Sequence, residues 1–129
     1  IIIPGRNYGW PLVTYGVNYD GTSITDKTHM KGTEQPIWHW TPSIAVCGMK
    51  FYYGEPFNLW DGNILVTSLK FEYLARVVVK DSVYTESEII YEPGSRVRDV
   101  EVGPNGNIYV ALENPGRIVK LRNITYNSN

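Results

Sequence analysis

Gly62-Asn63-Ile64-Leu65-Val66 recurs as Gly106-Asn107-Ile108-Tyr109-Val110, 44 residues further along the chain. Each copy follows a turn dipeptide, Asp61-Gly62 or Asn105-Gly106, whose residues tolerate the positive φ that tight hairpins demand. Each also continues into a second match, Ala75-Arg76-Val77-Val78 against Gly116-Arg117-Ile118-Val119. A period of about 40–50 residues holding several short strands is the pattern of propeller blades, and it favours a propeller over a plain sandwich. One blade then covers residues 44–91, and part of a second covers 97–121 without an obvious fourth strand. Rings generally take about 4–8 blades. Two blades therefore need either the remainder of the propeller or self-assembly of several chains.

The surrounding sequence agrees with an all-β fold. Its 12 Gly and 8 Pro interrupt the chain too often for helices, which average roughly 11–12 residues. Met49–Tyr53, Ile64–Val66, Leu74–Val79, Ile89–Tyr91, Ile108–Ala111 and Ile118–Leu121 are short, rich in β-branched or aromatic residues and bounded by turn signals, as strands should be. Residues 1–40 have little periodicity and abound in Gly, Asn, Thr, Asp and Tyr, so they read as long loops.

Composition narrows the function classes. A hydrophobic fraction of 43% over 129 residues excludes a disordered chain. No apolar run approaches the roughly 18–20 residues of a membrane span. A net charge of −1 supplies no basic field for nucleic acid or an anionic membrane. The single cysteine, Cys47, permits neither an intrachain disulfide nor a cysteine metal cluster, and its apolar strand start predicts a small buried hydrophobe. The opening Ile1-Ile2-Ile3-Pro4-Gly5 looks like neither a signal peptide nor a natural start. It reads as the cut edge of a longer protein.

Arg96-Val97-Arg98-Asp99-Val100-Glu101-Val102 alternates with period two. Arg96, Arg98, Val100 and Val102 are therefore expected on one strand face, with the two arginines about 6–7 Å apart. In a propeller this strand lines the central channel. Paired guanidiniums suit carboxylates or phosphates, although an ordinary ion pair with Asp99 or a neighbour is the plain alternative. Lys70, in the connection after Thr67-Ser68-Leu69, is by itself a solvated lysine. On the blade reading its loop reaches the same end of the ring, where Lys70, Arg96 and Arg98 could converge on one multiply charged anion. Glu113 could balance the arginine pair or be a loop carboxylate. His29 and His39 are too far apart and too poor in neighbouring ligands for a metal site, and His39, between Trp38 and Trp40, reads as a packed ring. No Ser-His-Asp arrangement or Gly-rich phosphate loop is legible. Asn123-Ile124-Thr125 fits a glycosylation sequon.

Several ordered motifs resemble the soluble sugar dehydrogenases that use pyrroloquinoline quinone (PQQ), the glucose/sorbosone dehydrogenase family. They are Gly5-Arg6-Asn7-Tyr8-Gly9-Trp10-Pro11, Tyr15-Gly16-Val17-Asn18-Tyr19, Trp40-Thr41-Pro42-Ser43-Ile44-Ala45 and Gly48-Met49 with Phe51-Tyr52 and Gly54. Ser68-Leu69-Lys70, Arg96-Val97-Arg98-Asp99-Val100 and Gly103-Pro104-Asn105-Gly106 with Ile108-Tyr109 complete the series. The resemblance runs from Gly5 to about Leu121. It implies part of a six-bladed propeller, at the C-terminal end of an enzyme that oxidises an aldose at its anomeric carbon by hydride transfer to PQQ, with calcium beside the cofactor. Lys70, Arg96 and Arg98 match cofactor-contacting cations, fitting the three carboxylates of the quinone, and Ser43 matches a small hydroxyl residue near it. The implied partners are a sugar and an electron acceptor, and the implied compartment is periplasmic or secreted.

The chain also departs from the family. The family's general base is a histidine upstream of this segment, as are the main calcium ligands, and neither His29 nor His39 lies in the matching motif. A usual Pro-Ser is replaced by Val46-Cys47, and a usual Thr-Asp by Leu112-Glu113, which keeps a carboxylate, Glu113, among the implied cofactor-binding residues but lengthens its reach. The alternative from another class is a non-catalytic, dehydrogenase-like propeller used as a secreted binding module.

Overall fold

A computed structural model describes residues 2–125; Ile1, the first residue of the expected cut edge, lies outside them. The chain divides into two units, one up to Ser43 and one from Ile44.

The first unit is built from loops, with a single antiparallel bridge between Val17 and Ser23. Asp20 holds that turn, accepting hydrogen bonds from Thr22 N at 2.9 Å and Thr22 Oγ1 at 2.6 Å. These bonds, the side-chain one foremost, hold the Asp20 carboxyl below its ordinary pKa. The half-buried ring of His39 stacks on Tyr15 at 3.7 Å between centroids, and its Nδ1 lies 3.2 Å from Thr41 Oγ1.

The second unit holds two antiparallel sheets. The first comprises β1 (Val46–Phe51), β2 (Ile64–Ser68), β3 (Leu74–Lys80) and β4 (Val83–Tyr91), hydrogen-bonded in chain order. The second comprises β5 (Val97–Val102), β6 (Ile108–Leu112) and β7 (Arg117–Leu121), also in chain order. The internal repeat has a structural counterpart, since its first matched segment leads into the second strand of each sheet, β2 or β6. Its continuation falls on the third strand, β3 or β7.

Apolar side chains from both sheets form one core, with Leu65 and Leu74 from the first and Val97, Val100, Ile108, Val110 and Leu112 from the second. β6 alternates buried and half-buried residues, whereas β2 is buried from Leu65 to Ser68. The buried polar groups of β2 are paired. Gly48 N donates to Thr67 Oγ1 at 2.7 Å, and Ser68 Oγ donates to Ile44 O at 2.8 Å. Arg76 on β3 is held by Glu86 (2.9 Å) and Glu88 (2.8 Å) of β4 and by Asn63 (2.6 Å). The Glu88 bond leads the effects that raise its pKa.

Three local expectations give way. Asp61-Gly62 does not make a tight hairpin. It closes a longer excursion from Tyr52 that contains a 3-10 helix, Glu55–Trp60, whose Phe57 and Trp60 rings pack on Tyr52. Asn105-Gly106 does close a four-residue turn, with Gly106 N bonded to Gly103 O. Cys47 is exposed, not buried, on a β1 that is irregular between Val46 and Met49. Finally, β5 does not alternate strictly, with consequences for the site.

Candidate functional site

The arginine pair stands at the start of β5. Val97 pairs with Leu112, but Asp99 pairs with Ala111, so β5 uses two steps where β6 uses one. This is a β-bulge, and Arg98 is its extra residue. The bulge resets the alternation, and Val97 and Val100 both enter the core while Arg98 is released to the surface. Period-two reasoning put Arg98 and Val100 on one face because a bulge leaves no mark in the alternation itself.

One rung beyond Val97 and Leu112, Glu113 N donates to Arg96 O at 3.0 Å. That bond sets the Glu113 carboxylate beside both arginines. Its Oε2 lies 2.5 Å from Nη2 of Arg98 and 4.0 Å from Nη1 of Arg96. The oxygen is buried and accepts no well-directed N–H, so it is held by charge rather than by an aligned hydrogen bond. The Arg96 and Arg98 side chains remain 56% and 46% exposed. Exposed ion pairs contribute only about 0–1 kcal/mol to stability. The cluster is therefore a weak brace, but it keeps two half-solvated planar donors side by side. The plain alternative, an ion pair with Asp99 or a neighbour, is met by Glu113, while Asp99 Oδ1 accepts from Val100 N at 2.8 Å.

Lys70 lies in the β2–β3 connection, where Lys70 N bonds Ile44 O at 3.2 Å. Ser68 Oγ fastens the same corner by accepting from Phe71 N at 3.0 Å. The Lys70 ammonium sits 5.3 Å from the Phe71 ring centroid, so its observed contact is with its neighbour and not with Glu113. Ser43 is exposed in the first unit. The structure thus brings Arg96, Arg98 and Glu113 together and places Lys70 in another connection of the same unit. Among the described residues no group of three or more His, Cys, Asp or Glu side chains could hold a metal ion, and no helix is long and apolar enough to cross a membrane.

Sequence reasoning missed Ser95 and Glu72. With Gly94, Arg96, Glu113 and Asn114 they line an open cavity of about 430 Å³. Three separate connections supply these residues, so no local motif could announce the cavity.

The family model for glucose/sorbosone dehydrogenase matches residues 1–120. The chain is 39% identical over 121 residues to aldose sugar dehydrogenase YliI of Escherichia coli (strain K12), covering 91% of this chain and 33% of that protein. It resembles the crystal structure of a glucose dehydrogenase with a TM-score of 0.86 at 34% identity, covering 92% of this chain and 36% of that one. The apo-form of the soluble aldose sugar dehydrogenase from Escherichia coli matches with a TM-score of 0.82 at 38% identity, covering 90% of this chain and 35% of that one. The chain thus spans about a third of the length of these relatives. Its two sheets are part of a β-propeller. The matches to dehydrogenases do not favour the binding-module alternative.

Proposed function

The chain belongs to the glucose/sorbosone dehydrogenase family, and from that premise we propose that it is the C-terminal part of a quinoprotein which oxidises an aldose at its anomeric carbon with hydride transfer to PQQ. One observation carries the reading, the convergence of Arg96 and Arg98 on a single carboxylate through a bulge. Two half-exposed planar donor forks, already arranged around a carboxylate, fit a ligand that presents several carboxylates. When bound, the quinone supplies the hydride acceptor. Arg96 and Arg98 bind and orient its carboxylates, and Glu113 offsets part of their charge. In this reading Lys70 and Ser43 complete the contact set, with Lys70 leaving its Phe71 ring for the anion.

Calcium belongs to the same proposal, with its main ligands in the family's upstream segment. The general base also belongs to that segment, so the chain alone is expected to bind the quinone without turnover. The proposed partners are a sugar, an electron acceptor and either the remainder of the propeller or further copies of the chain, with no nucleic acid. The proposed compartment is periplasmic or secreted.

The test is a titration of the chain with PQQ, compared with Arg96→Ala and Lys70→Ala. Both changes should weaken binding by roughly 10-fold or more, the range for losing a charge-assisted contact. Absent binding, or indifference to both changes, overturns the cationic-site reading. Dye-linked aldose oxidation by the chain alone, with PQQ and calcium supplied, would overturn the expectation of no turnover.

A further inference from the structure

Asn105-Gly106 is the sole Asn-Gly pair of the sequence. It sits in the turn between β5 and β6, at the far end of β5 from Arg96. A glycine lacks the Cβ that would screen its main-chain nitrogen from the preceding side chain. An asparagine before it is therefore open to attack by that nitrogen. Two features of this turn favour the attack. Asn105 is exposed, so water and base reach it. Its Oδ1 accepts from Asn107 N at 3.4 Å, which folds the carboxamide back over the Gly106 peptide. The same N–H faces the oxygen on which negative charge develops during the attack.

Contacts at Gly106 oppose it. The Gly106 N–H, whose nitrogen is the nucleophile, is engaged by Gly103 O at 2.8 Å. The Gly106 carbonyl accepts from the Tyr52 phenol at 2.8 Å. The residue is buried and so closely packed that a Cβ on it would meet Pro56 Cδ at 2.6 Å. We propose that Asn105 is a site of spontaneous deamidation and that the Tyr52 bond to Gly106 is its gate. When the turn opens locally, Gly106 N gives its proton to solvent base and bonds to Asn105 Cγ. The Cγ–Nδ2 bond breaks and the nitrogen leaves as ammonia. Water then opens the resulting succinimide at either carbonyl. One opening gives aspartate. The other gives isoaspartate, whose main chain runs through Cβ and Cγ and is one methylene longer. That extra atom in a four-residue turn displaces Gly106 from Gly103 and Tyr52, so the modification loosens one sheet from the other.

The test incubates the chain in mildly alkaline buffer, folded or unfolded in guanidinium chloride, and maps its peptides by mass spectrometry. Chromatography separates aspartate from isoaspartate. In the unfolded chain both products are expected at position 105 ahead of every other asparagine. The folded chain should convert there roughly 10-fold more slowly or less, because Gly106 is held. Tyr52→Phe, assayed folded, should speed the conversion by roughly 3- to 10-fold, the factor for losing one hydrogen bond. Ser68→Ala removes a buried hydroxyl bonded to Ile44 O and Phe71 N, and so weakens the fold away from the turn. It should leave the rate within about 2-fold of the unaltered chain. The isoaspartate-bearing chain, isolated by ion exchange, should unfold at a lower urea midpoint. Absent products at position 105 in the unfolded chain overturn the site. Equal rates folded and unfolded, or a Tyr52→Phe rate equal to that of Ser68→Ala or the unaltered chain, overturn the gate. An unmoved urea midpoint overturns the loosening of the sheets.

Discussion

The phenol of Tyr52 lies 2.8 Å from the carbonyl oxygen of Gly106, a hydrogen bond that spans 54 residues of sequence. It ties the connection leaving β1 to the turn between β5 and β6, and so fastens one sheet to the other. The two connections touch so closely that a Cβ on Gly54 would meet Gly106 Cα at 2.7 Å. Gly106 itself has φ +73°, which favours glycine. Tyr52 is fully buried, and its oxygen also accepts from Phe57 N at 3.1 Å.

Tyr52→Phe keeps the ring and its packing but strands the Phe57 N–H and removes the donor to Gly106. Leaving such groups unpaired costs about 1–3 kcal/mol. Urea denaturation should show that loss with an unchanged m-value. A loss below about 0.5 kcal/mol would mean that other groups satisfy both partners.

Glu113 lies against both arginines and is an internal competitor for any carboxylate-bearing ligand. Glu113→Gln removes the competing charge while keeping the side chain's size. The arginine field should then bind PQQ several-fold more tightly, with a steeper salt dependence because less of the field is offset. Calorimetric titration at two salt concentrations measures both effects. Equal or weaker binding would show that Glu113 assists the ligand rather than competing with it.

The repeat made two blade-like sheets legible because turn residues and β-branched runs act locally. Asp61-Gly62 and Asn105-Gly106 carry that signal, and both glycines adopt positive φ. The arginine pair was legible as a pair, but its arrangement was not. The bulge at Arg98 arises from pairing with β6, and Glu113 reaches the pair through β5–β6 register. Ser95 was invisible for a stronger reason. A buried serine with no partner differs from any surface serine only after three connections have met around it.

Lys50 on β1 and Glu101 on β5 form a second link between the sheets, with Nζ 2.7 Å from Oε1. The Lys50 bond, followed by the Val102 N–H, holds the Glu101 carboxyl below the ordinary glutamate range. A depressed folded-state pKa gives stability that is present above the unfolded value of about 4.3 and lost as pH falls through the folded one. The Glu101 side chain is 60% exposed, so a site-specific titration is a better measure than denaturation. Side-chain carboxyl NMR should place its midpoint below that of a free glutamate, and Lys50→Met should move it upward. An unmoved midpoint would assign the depression to the backbone bond alone.

Asn123 begins the sequon, yet its amide has a structural task. Nδ2 donates to Pro56 O at 2.7 Å, anchoring the segment after β7 to the 3-10 helix between β1 and β2. Oδ1 accepts from Thr125 N at 3.0 Å and Thr125 Oγ1 at 2.6 Å, closing a local turn. Asn123→Asp keeps the shape and the acceptor but replaces the donor with an oxygen facing the Pro56 carbonyl. The cost should be about 1–3 kcal/mol, read as a lower midpoint in urea. Thr125→Ala removes only an exposed contact and should stay within about 0.5 kcal/mol. Equal effects from the two variants would remove the anchor and leave only the turn. A larger cost for Asp identifies Asn123 as a staple, whose engaged Nδ2 makes the folded chain a poor glycan acceptor.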